Sequence, residues 1–232
     1  MELTPRLKKI AELIPAGTRT IADIGTDHAY LPVYCILNGR AENALAMDVN
    51  EGPLARAAES AAKYNLVDKI DLRLSDGIEK LDENEADVVV IAGMGGLLIR
   101  KILEEGRAVL SPDTLLILQP MIAQTQLREY LFTNGFNVKD EYVVCEGSKL
   151  YNIMVVSCGE KGGFDEKDIV IGRNLRKNSP DLFKRYAEYK IRILKKIISG
   201  MEKSVSSNDS QAVRRELEIF ENELERSMNN ED

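Results

Sequence analysis

From residue 20 to residue 133, short apolar runs alternate with stretches of helical length, and this alternation constrains the fold more than any other feature. The runs at 20–24 (Thr20-Ile21-Ala22-Asp23-Ile24), 43–48, 70–75, 88–91 and 115–118 read as strands, most of them nearly continuous in apolar residues, the pattern of strands buried on both faces of a parallel sheet. Between them the spacing predicts helices over about 29–38, 53–64, 96–105 and 124–133, with a short helical turn after Gly77. Asn38-Gly39 and Asn134-Gly135 read as helix stops. An earlier helix is announced by Thr4-Pro5, a cap followed by proline at the first helical position, with Leu7, Ile10, Ala11 and Ile14 as its apolar stripe. Residues 136–146 and 149–158 then read as two strands in succession around Glu146-Gly147-Ser148-Lys149, an antiparallel hairpin at the far edge. The fold class is therefore α/β: a parallel sheet with helices on both faces, closed by a C-terminal hairpin.

Lys161-Gly162-Gly163 marks a boundary, giving domains 1–160 and 161–232. Beyond it Ala187, Ile191, Leu194, Ile198, Met201 and Val205 recur at spacings of four, three, four, three and four. A polar turn at 206–210, with Asp209 or Ser210 able to cap the next helix, leads to Val213, Leu217, Phe220 and Leu224 at four, three and four. This pattern predicts a helical hairpin with a coiled-coil-like seam, packed on helices from 165–185. Its charge is uneven. The chain carries −7 overall, yet Arg173 to Lys203 holds ten Lys/Arg against three Asp/Glu, while 214–232 is net −4. The basic set, Arg173, Arg176, Lys177, Lys184, Arg185, Lys190, Arg192, Lys195 and Lys196, can track phosphates of a folded RNA or pair with the acids of the second helix.

The length of 232 residues suits one α/β domain with a smaller appendage. No apolar run is long enough to cross a bilayer, and the N-terminus lacks a secretion-signal layout. Cys35, Cys145 and Cys158 have neither metal-ligand spacing nor an even count, and read as core filling. The expectations are a cytoplasmic protein, no membrane partner and no metal. The oligomeric state is left open, a monomer being the simpler expectation.

In an open parallel sheet, ligands sit beyond the carboxyl ends of the strands. Those ends deliver Asp23, Gly25, Thr26, Asp27 and His28 from the first strand, Asp48 from the second, Asp76-Gly77 from the third, and Gly93-Met94-Gly95-Gly96 from the fourth. Gly25 lets backbone pass close under a ligand, and the helix after it points free N–H groups at a carboxylate or phosphate. Asp48 can accept from two ribose hydroxyls and Asp76 from an exocyclic amine. Asp27 would repel a pyrophosphate but attract an ammonium or sulfonium. Carboxylate, ribose and aminopurine together describe S-adenosyl-L-methionine. Each residue also has a plain structural use: Asp27 and His28 as cap or loop residues, Asp76-Gly77 as a turn, Met94 as core filling, and Tyr30, which could otherwise stack on a base, as helix packing.

The layout resembles class I S-adenosylmethionine-dependent methyltransferases. The words Asp23-Ile24-Gly25-Thr26-Asp27-His28-Ala29-Tyr30-Leu31-Pro32, Ala92-Gly93-Met94-Gly95-Gly96 and Leu118-Gln119-Pro120-Met121 resemble the bacterial TrmK family, which methylates N1 of adenosine 22 in tRNA. The resemblance covers nearly the whole chain. It implies donor binding by Gly25, Thr26, Asp27, His28, Asp48, Asp76, Gly77 and Gly93, with Asp23 at the same rim. Met94, Gly95 and Gly96 would line the target-base side, with Gln119-Pro120-Met121 under the same rim, and Lys184, Arg185, Lys195 and Lys196 would meet tRNA. The Asn/Asp-Pro-Pro-aromatic motif of amino-methylating adenine enzymes is missing, which fits a ring-nitrogen target. Asp27 is the candidate for stabilising the charge that develops on the ring, with His28 as orienting partner or late proton acceptor. Two other readings stand beside this one: a small-molecule methyltransferase whose tail is a lid or dimerisation element, and a non-catalytic RNA-binding protein.

Overall fold

The computed structural model describes residues 1–159, 162–201 and 209–229. Helix α1 (Pro5–Leu13) starts where Thr4 accepts from the Leu7 N–H, and buries Ile10 and Ala11. The strands are β1 (Thr18–Ile24), β2 (Ala41–Asp48), β3 (Ile70–Leu74), β4 (Val88–Met94), β5 (Leu115–Pro120), β6 (Phe136–Glu146) and β7 (Lys149–Cys158). They form one seven-stranded sheet in the order β3-β2-β1-β4-β5-β7-β6. The first five are parallel, and β7 runs antiparallel to both β5 and β6. Helices α2 (Tyr30–Leu37), α3 (Glu51–Lys63), α4 (Gly96–Glu105) and α5 (Gln124–Thr133) fill the crossovers. Strand residues alternate between two apolar cores. Ala22, Ile24, Val89, Ile91, Leu116 and Leu118 face one, and Ile21, Val88, Val90 and Ile117 face the other. That two-sided burial is what the unbroken apolar runs require.

After Gly77 the chain makes hydrogen-bonded turns over residues 77–80, with Glu79 N–H donating to the Asp76 carbonyl (3.3 Å) and Leu81 N–H to the Ile78 carbonyl (3.1 Å), and does not extend them into a helix. The Ser75 hydroxyl donates to the Gly77 carbonyl (3.2 Å) and accepts from the Lys80 N–H (3.2 Å), which satisfies the backbone without a helix. Cys35 and Cys158 are buried as expected. Cys145 departs from that expectation, being half-buried at the hairpin end with its sulfur 3.1 Å from an Arg185 guanidinium nitrogen.

After β7 come α6 (Glu166–Val170), α7 (Leu175–Asn178), α8 (Pro180–Met201) and α9 (Asp209–Met228). Val170, Ile171, Leu175, Phe183, Tyr186, Ala187, Leu194, Ile219 and Phe220 bury against Val143 of β6, forming a third core. The tail therefore makes a small globular core with the sheet edge, wider than the two-position seam read from the spacing, since adjacent Ile219 and Phe220 are both buried. Lys161, Val205 and the turn at 206–208 lie outside the described residues, as do the side chains of Asp209 and Ser210.

The segment between α6 and α8 also satisfies the exposed rail of β6. Glu141 N–H donates to the Arg173 carbonyl (3.0 Å), Val143 N–H to the Ser179 hydroxyl (2.8 Å), and Asn178 Nδ2 to the Glu141 carbonyl (3.2 Å). An edge strand left bare invites pairing with another chain, and here the tail covers it. Among the described residues no helix is long and apolar enough to cross a membrane.

Candidate active site

The sheet order sets the ends of β3, β2, β1, β4 and β5 side by side, so the polar residues at the end of each strand share one rim. The loop after β1 is pinned across β2, with the Gly25 and Thr26 N–H groups both donating to the Met47 carbonyl (2.8 and 3.0 Å). Gly25 has φ +76°, and a Cβ there would fall 2.3 Å from the Met94 methyl carbon. The positive φ is what calls for glycine here, since the Met94 methyl is the movable end of its side chain, and the backbone is left bare toward the rim. Met94, half-buried, thus closes the gap between the first and fourth strand ends. Helix α2 follows Ala29, its N-cap residue, which is left-handed (φ 51°) and supplies no side-chain cap. Its first-turn amides, Pro32 excepted, have no partner within the helix.

Asp48 ends β2. One carboxylate oxygen accepts from the Asn50 backbone N–H (2.8 Å) and side-chain amide (3.3 Å), which orients the group and leaves its other oxygen open. Asp76 is exposed at the end of β3, beside Gly77, whose φ of +58° and 2.9 Å approach to Ile102 exclude a side chain. Asp23 is buried at the end of β1. Burial pushes its carboxyl up to about 6; the Thr26 hydroxyl and the Arg6 charge oppose this, and the Asp48 charge adds to it. An unfolded chain releases this proton near 3.8 and the folded chain near 6, so between those values the folded state alone keeps it. The Asp23 contribution to stability is therefore complete below the lower value and declines as pH rises through the upper one, by about 3 kcal/mol in all. Asp23→Asn is expected to flatten this decline when denaturant midpoints are compared from pH 4 to pH 7; an unchanged slope would reject the assignment. Below the rim, the Cys35 thiol is pushed up to about 12, chiefly by burial and then by Asp23, which makes it a poor nucleophile.

Asp27 and His28 stand at the rim but are not free-standing. Asp27 is exposed and paired with Arg56 of α3, whose Nε and Nη2 both donate to Oδ1, the Nε at 3.0 Å. His28 Nε2 lies 3.6 Å from the other Asp27 oxygen, and its ring stacks on Tyr30 at 4.8 Å between centroids. Tyr30 is exposed, against the expectation that it packs its helix.

The fourth and fifth strand ends are joined by backbone. Met121 N–H donates to the Met94 carbonyl (2.8 Å) and Gly96 N–H to the Ile122 carbonyl (2.9 Å). Gly96 is buried, and a Cβ there would come 2.4 Å from the Ala123 carbonyl oxygen, so the close backbone approach requires glycine. Gln119 and Pro120, expected under the rim as substrate-binding residues, are buried and support it from beneath. Gln119 Oε1 accepts from the Gly93 N–H (3.2 Å) and from Arg6 Nη1 (2.6 Å). Gly93 itself is exposed with φ +81°, and Gly95 precedes α4.

Arg6 and Arg56 are the site residues that sequence reasoning missed. Arg6 reaches from α1 under Gly93 and lies 5.2 Å over the Tyr151 ring. The one available signal was its position next to Leu7 on the buried stripe of a capped helix. Arg56 belongs to the helix after Asp48, and its pairing with a loop 29 residues earlier leaves no periodic trace.

The tail's basic residues divide. Arg173 turns inward, to Asp168 (2.5 Å) and over the Phe132 ring (5.0 Å). Arg176 meets Glu223 (3.3 Å) and Lys195 meets Glu221 (2.7 Å), the cross-helix pairing that was the alternative to RNA contact. Arg185 bonds the Cys145 sulfur and the Ser148 carbonyl, and Lys190 donates to Gln124 (3.2 Å). Lys177, Lys184, Arg192 and Lys196 are not drawn into any such pair among the described residues; the last three are exposed along α8.

The chain has close relatives among known proteins. A family model described as TrmK, tRNA (adenine(22)-N(1))-methyltransferase, matches residues 21–226. The Bacillus subtilis (strain 168) tRNA (adenine(22)-N(1))-methyltransferase is 41% identical over 161 residues, which are 69% of this chain and 67% of that one. The crystal structure of the B. subtilis m1A22 tRNA methyltransferase TrmK superimposes with a TM-score of 0.80 at 32% identity, over 100% of this chain and 99% of that one. The Streptococcus pneumoniae protein Sp1610 in complex with S-adenosyl-L-methionine gives 0.84 at 30% identity, over 96% and 100%.

Proposed function

Because this chain belongs to the TrmK family of tRNA (adenine(22)-N(1))-methyltransferases, we propose that it transfers a methyl group from S-adenosyl-L-methionine to N1 of adenosine 22 in tRNA. One observation carries the reading: Asp23, Gly25, Asp48, Asp76 and Gly93 come from four neighbouring strands to a single rim where the two glycines hold positive φ and present bare backbone. The donor set fits the methyl donor. The uncapped start of α2 suits its carboxylate, Asp23 and Asp27 its ammonium, the open Asp48 oxygen its ribose and Asp76 its adenine amine.

When bound, S-adenosyl-L-methionine supplies a sulfonium methyl: a bond forms from its carbon to adenine N1 as the carbon–sulfur bond breaks, the bonding pair staying on sulfur. Adenine N1 already carries an in-plane lone pair, so this chain need not remove a proton to create the nucleophile. Its task is alignment and exclusion of water. The rigid Met94–Gly96 turn fixes the target-base side relative to Gly25. Asp27 faces the positive charge that passes to the ring, and Arg56 and His28 hold its orientation. Residues 1–160 carry the donor and the chemistry. Residues 161–232 carry tRNA contact through Lys184, Arg192 and Lys196, with Lys177 nearby in the chain. The setting is the cytoplasm, where tRNA is found, and the working unit is a monomer.

Incubating the protein with labelled methyl donor and unmodified tRNA, then mapping the product, is expected to place label at N1 of adenosine 22 alone. Turnover is expected to fall about tenfold with Asp27→Asn, and tRNA affinity to fall steeply with added salt. Label on small metabolites but not on tRNA, or no donor binding by calorimetry, would reject the reading.

A further inference from the structure

Ile122 is the most exposed large apolar side chain among the described residues, at 68% of its surface, and Leu97 comes next among its neighbours at 59%. Leu98 and Met121 are also exposed. These four flank the turns that join the fourth and fifth strand ends, beside the exposed Gly93 of the active site. The lip is stiff. The Ile122 carbonyl is bonded to Gly96, Met121 N–H to Met94, Ala123 is left-handed, and the Ile122 side chain lies 3.6 Å from where a Gly95 Cβ would stand. Gln124 donates to the Pro120 carbonyl (3.3 Å) and accepts from Lys190 of α8, which ties the lip to the basic helix.

A β-branched side chain held out into water on fixed backbone gains nothing for the fold. Against a nucleic acid it has a use: apolar side chains inserted between base steps occupy the place of a base that has been drawn out. An adenosine in a folded tRNA must leave its stack before N1 can meet a methyl donor lodged beside Gly25. We propose that Ile122, flanked by Met121 and Leu97, is a wedge that enters the tRNA base stack at the position the target adenosine vacates. This rests on the tRNA-methylating reading above. It assigns the occupant of the lip from two features: continuity with the Gly93–Gly96 turn, and the cationic helix joined to it through Lys190, which matches a phosphate backbone.

The test uses full-length enzyme loaded with S-adenosylhomocysteine and a tRNA carrying 2-aminopurine at position 22, whose fluorescence rises when it unstacks. Ile122→Ala is expected to lose more than half of the fluorescence rise and at least tenfold in kcat on unmodified tRNA. Its affinity for S-adenosylhomocysteine and its melting temperature are expected to stay unchanged, because the side chain is outside the fold. Ile122→Leu is expected to restore both signals, which a purely structural role would not predict. Wild-type fluorescence and turnover in Ile122→Ala would overturn the wedge. So would an Ile122→Asp protein that sediments as a monomer where the wild type is a dimer, since the lip would then be a self-interface. Wild-type enzyme that forms no N1-methyladenosine at all would overturn the reading beneath the proposal, and the proposal with it.

Discussion

Arg128→Ala is expected to lower the unfolding free energy by about 3–5 kcal/mol, the cost of leaving a buried charge without its partner. Arg128 in α5 and Glu141 in β6 are both fully buried. The guanidinium Nε donates to both carboxylate oxygens (2.9 and 3.1 Å), and Nη2 donates to Glu141 Oε2 (2.9 Å) and to Asn152 of β7 (3.3 Å). Nη1 meets the carbonyls of Ile169 and Val170 at the end of α6 (3.2 and 3.1 Å). One side chain thus fastens the helical tail to the sheet. Its removal strands a carboxylate that retains only the Arg173 N–H (3.1 Å) and frees two helix-end carbonyls. In a chain of this size the melting temperature should drop by about 10 °C or more, and residues near 163–175 should become the first site of proteolysis. Arg128→Met combined with Glu141→Leu is expected to recover part of the loss, because no charge is left buried alone while the Ile169 and Val170 carbonyls and the Arg173 N–H stay unpaired. A drop of less than about 1 kcal/mol for Arg128→Ala alone would show that water reaches the pair.

This buried pair also marks where the sequence stops being readable. Strand periods and turn residues are local, so the hairpin strands over 136–146 and 149–158 and the helix over 124–133 are legible to the residue. The rim is legible through them, because strand order alone brings Asp48 and Asp76 to Gly25. What a long side chain reaches is not local. Arg6, Arg56 and Arg128 each bond partners on another element, and a helical repeat says only which face they occupy. The same gap misassigns part of the tail. Arg173 counts toward a basic stripe in the sequence, yet it closes onto Asp168 and Phe132, and Lys195 is taken by Glu221. Charge counts sum over positions, whereas phosphate contact depends on which cations remain exposed and uncommitted. The turn after Gly77 stops short of a helix for a different reason: the Ser75 hydroxyl bonds the Gly77 carbonyl and the Lys80 N–H, two of the groups a longer helix would use.

Asp48→Ala is expected to weaken S-adenosylhomocysteine binding by about 100-fold to 1,000-fold in calorimetry. A ribose diol would donate two hydrogen bonds to this carboxylate, and a bond to a charged acceptor is worth about 1.5–3 kcal/mol. Losing both, each at the lower end of that range, removes about 3–4 kcal/mol, which corresponds to that loss of affinity. Asp48→Asn keeps one acceptor and should lose about tenfold. Neither change should unfold the protein, because Asp48 is half-exposed and its side-chain partner among the described residues is Asn50, two residues away. The Asp48 charge also raises the Asp23 carboxyl, so removing it should bring the Asp23 titration down from about 6. The stability lost between pH 4 and pH 6 should then shrink in the same variant that loses the ligand. An Asp48→Ala protein that binds S-adenosylhomocysteine like the wild type would move the ribose to another strand end, and the assignment of this rim to a sulfonium nucleoside would fail with it.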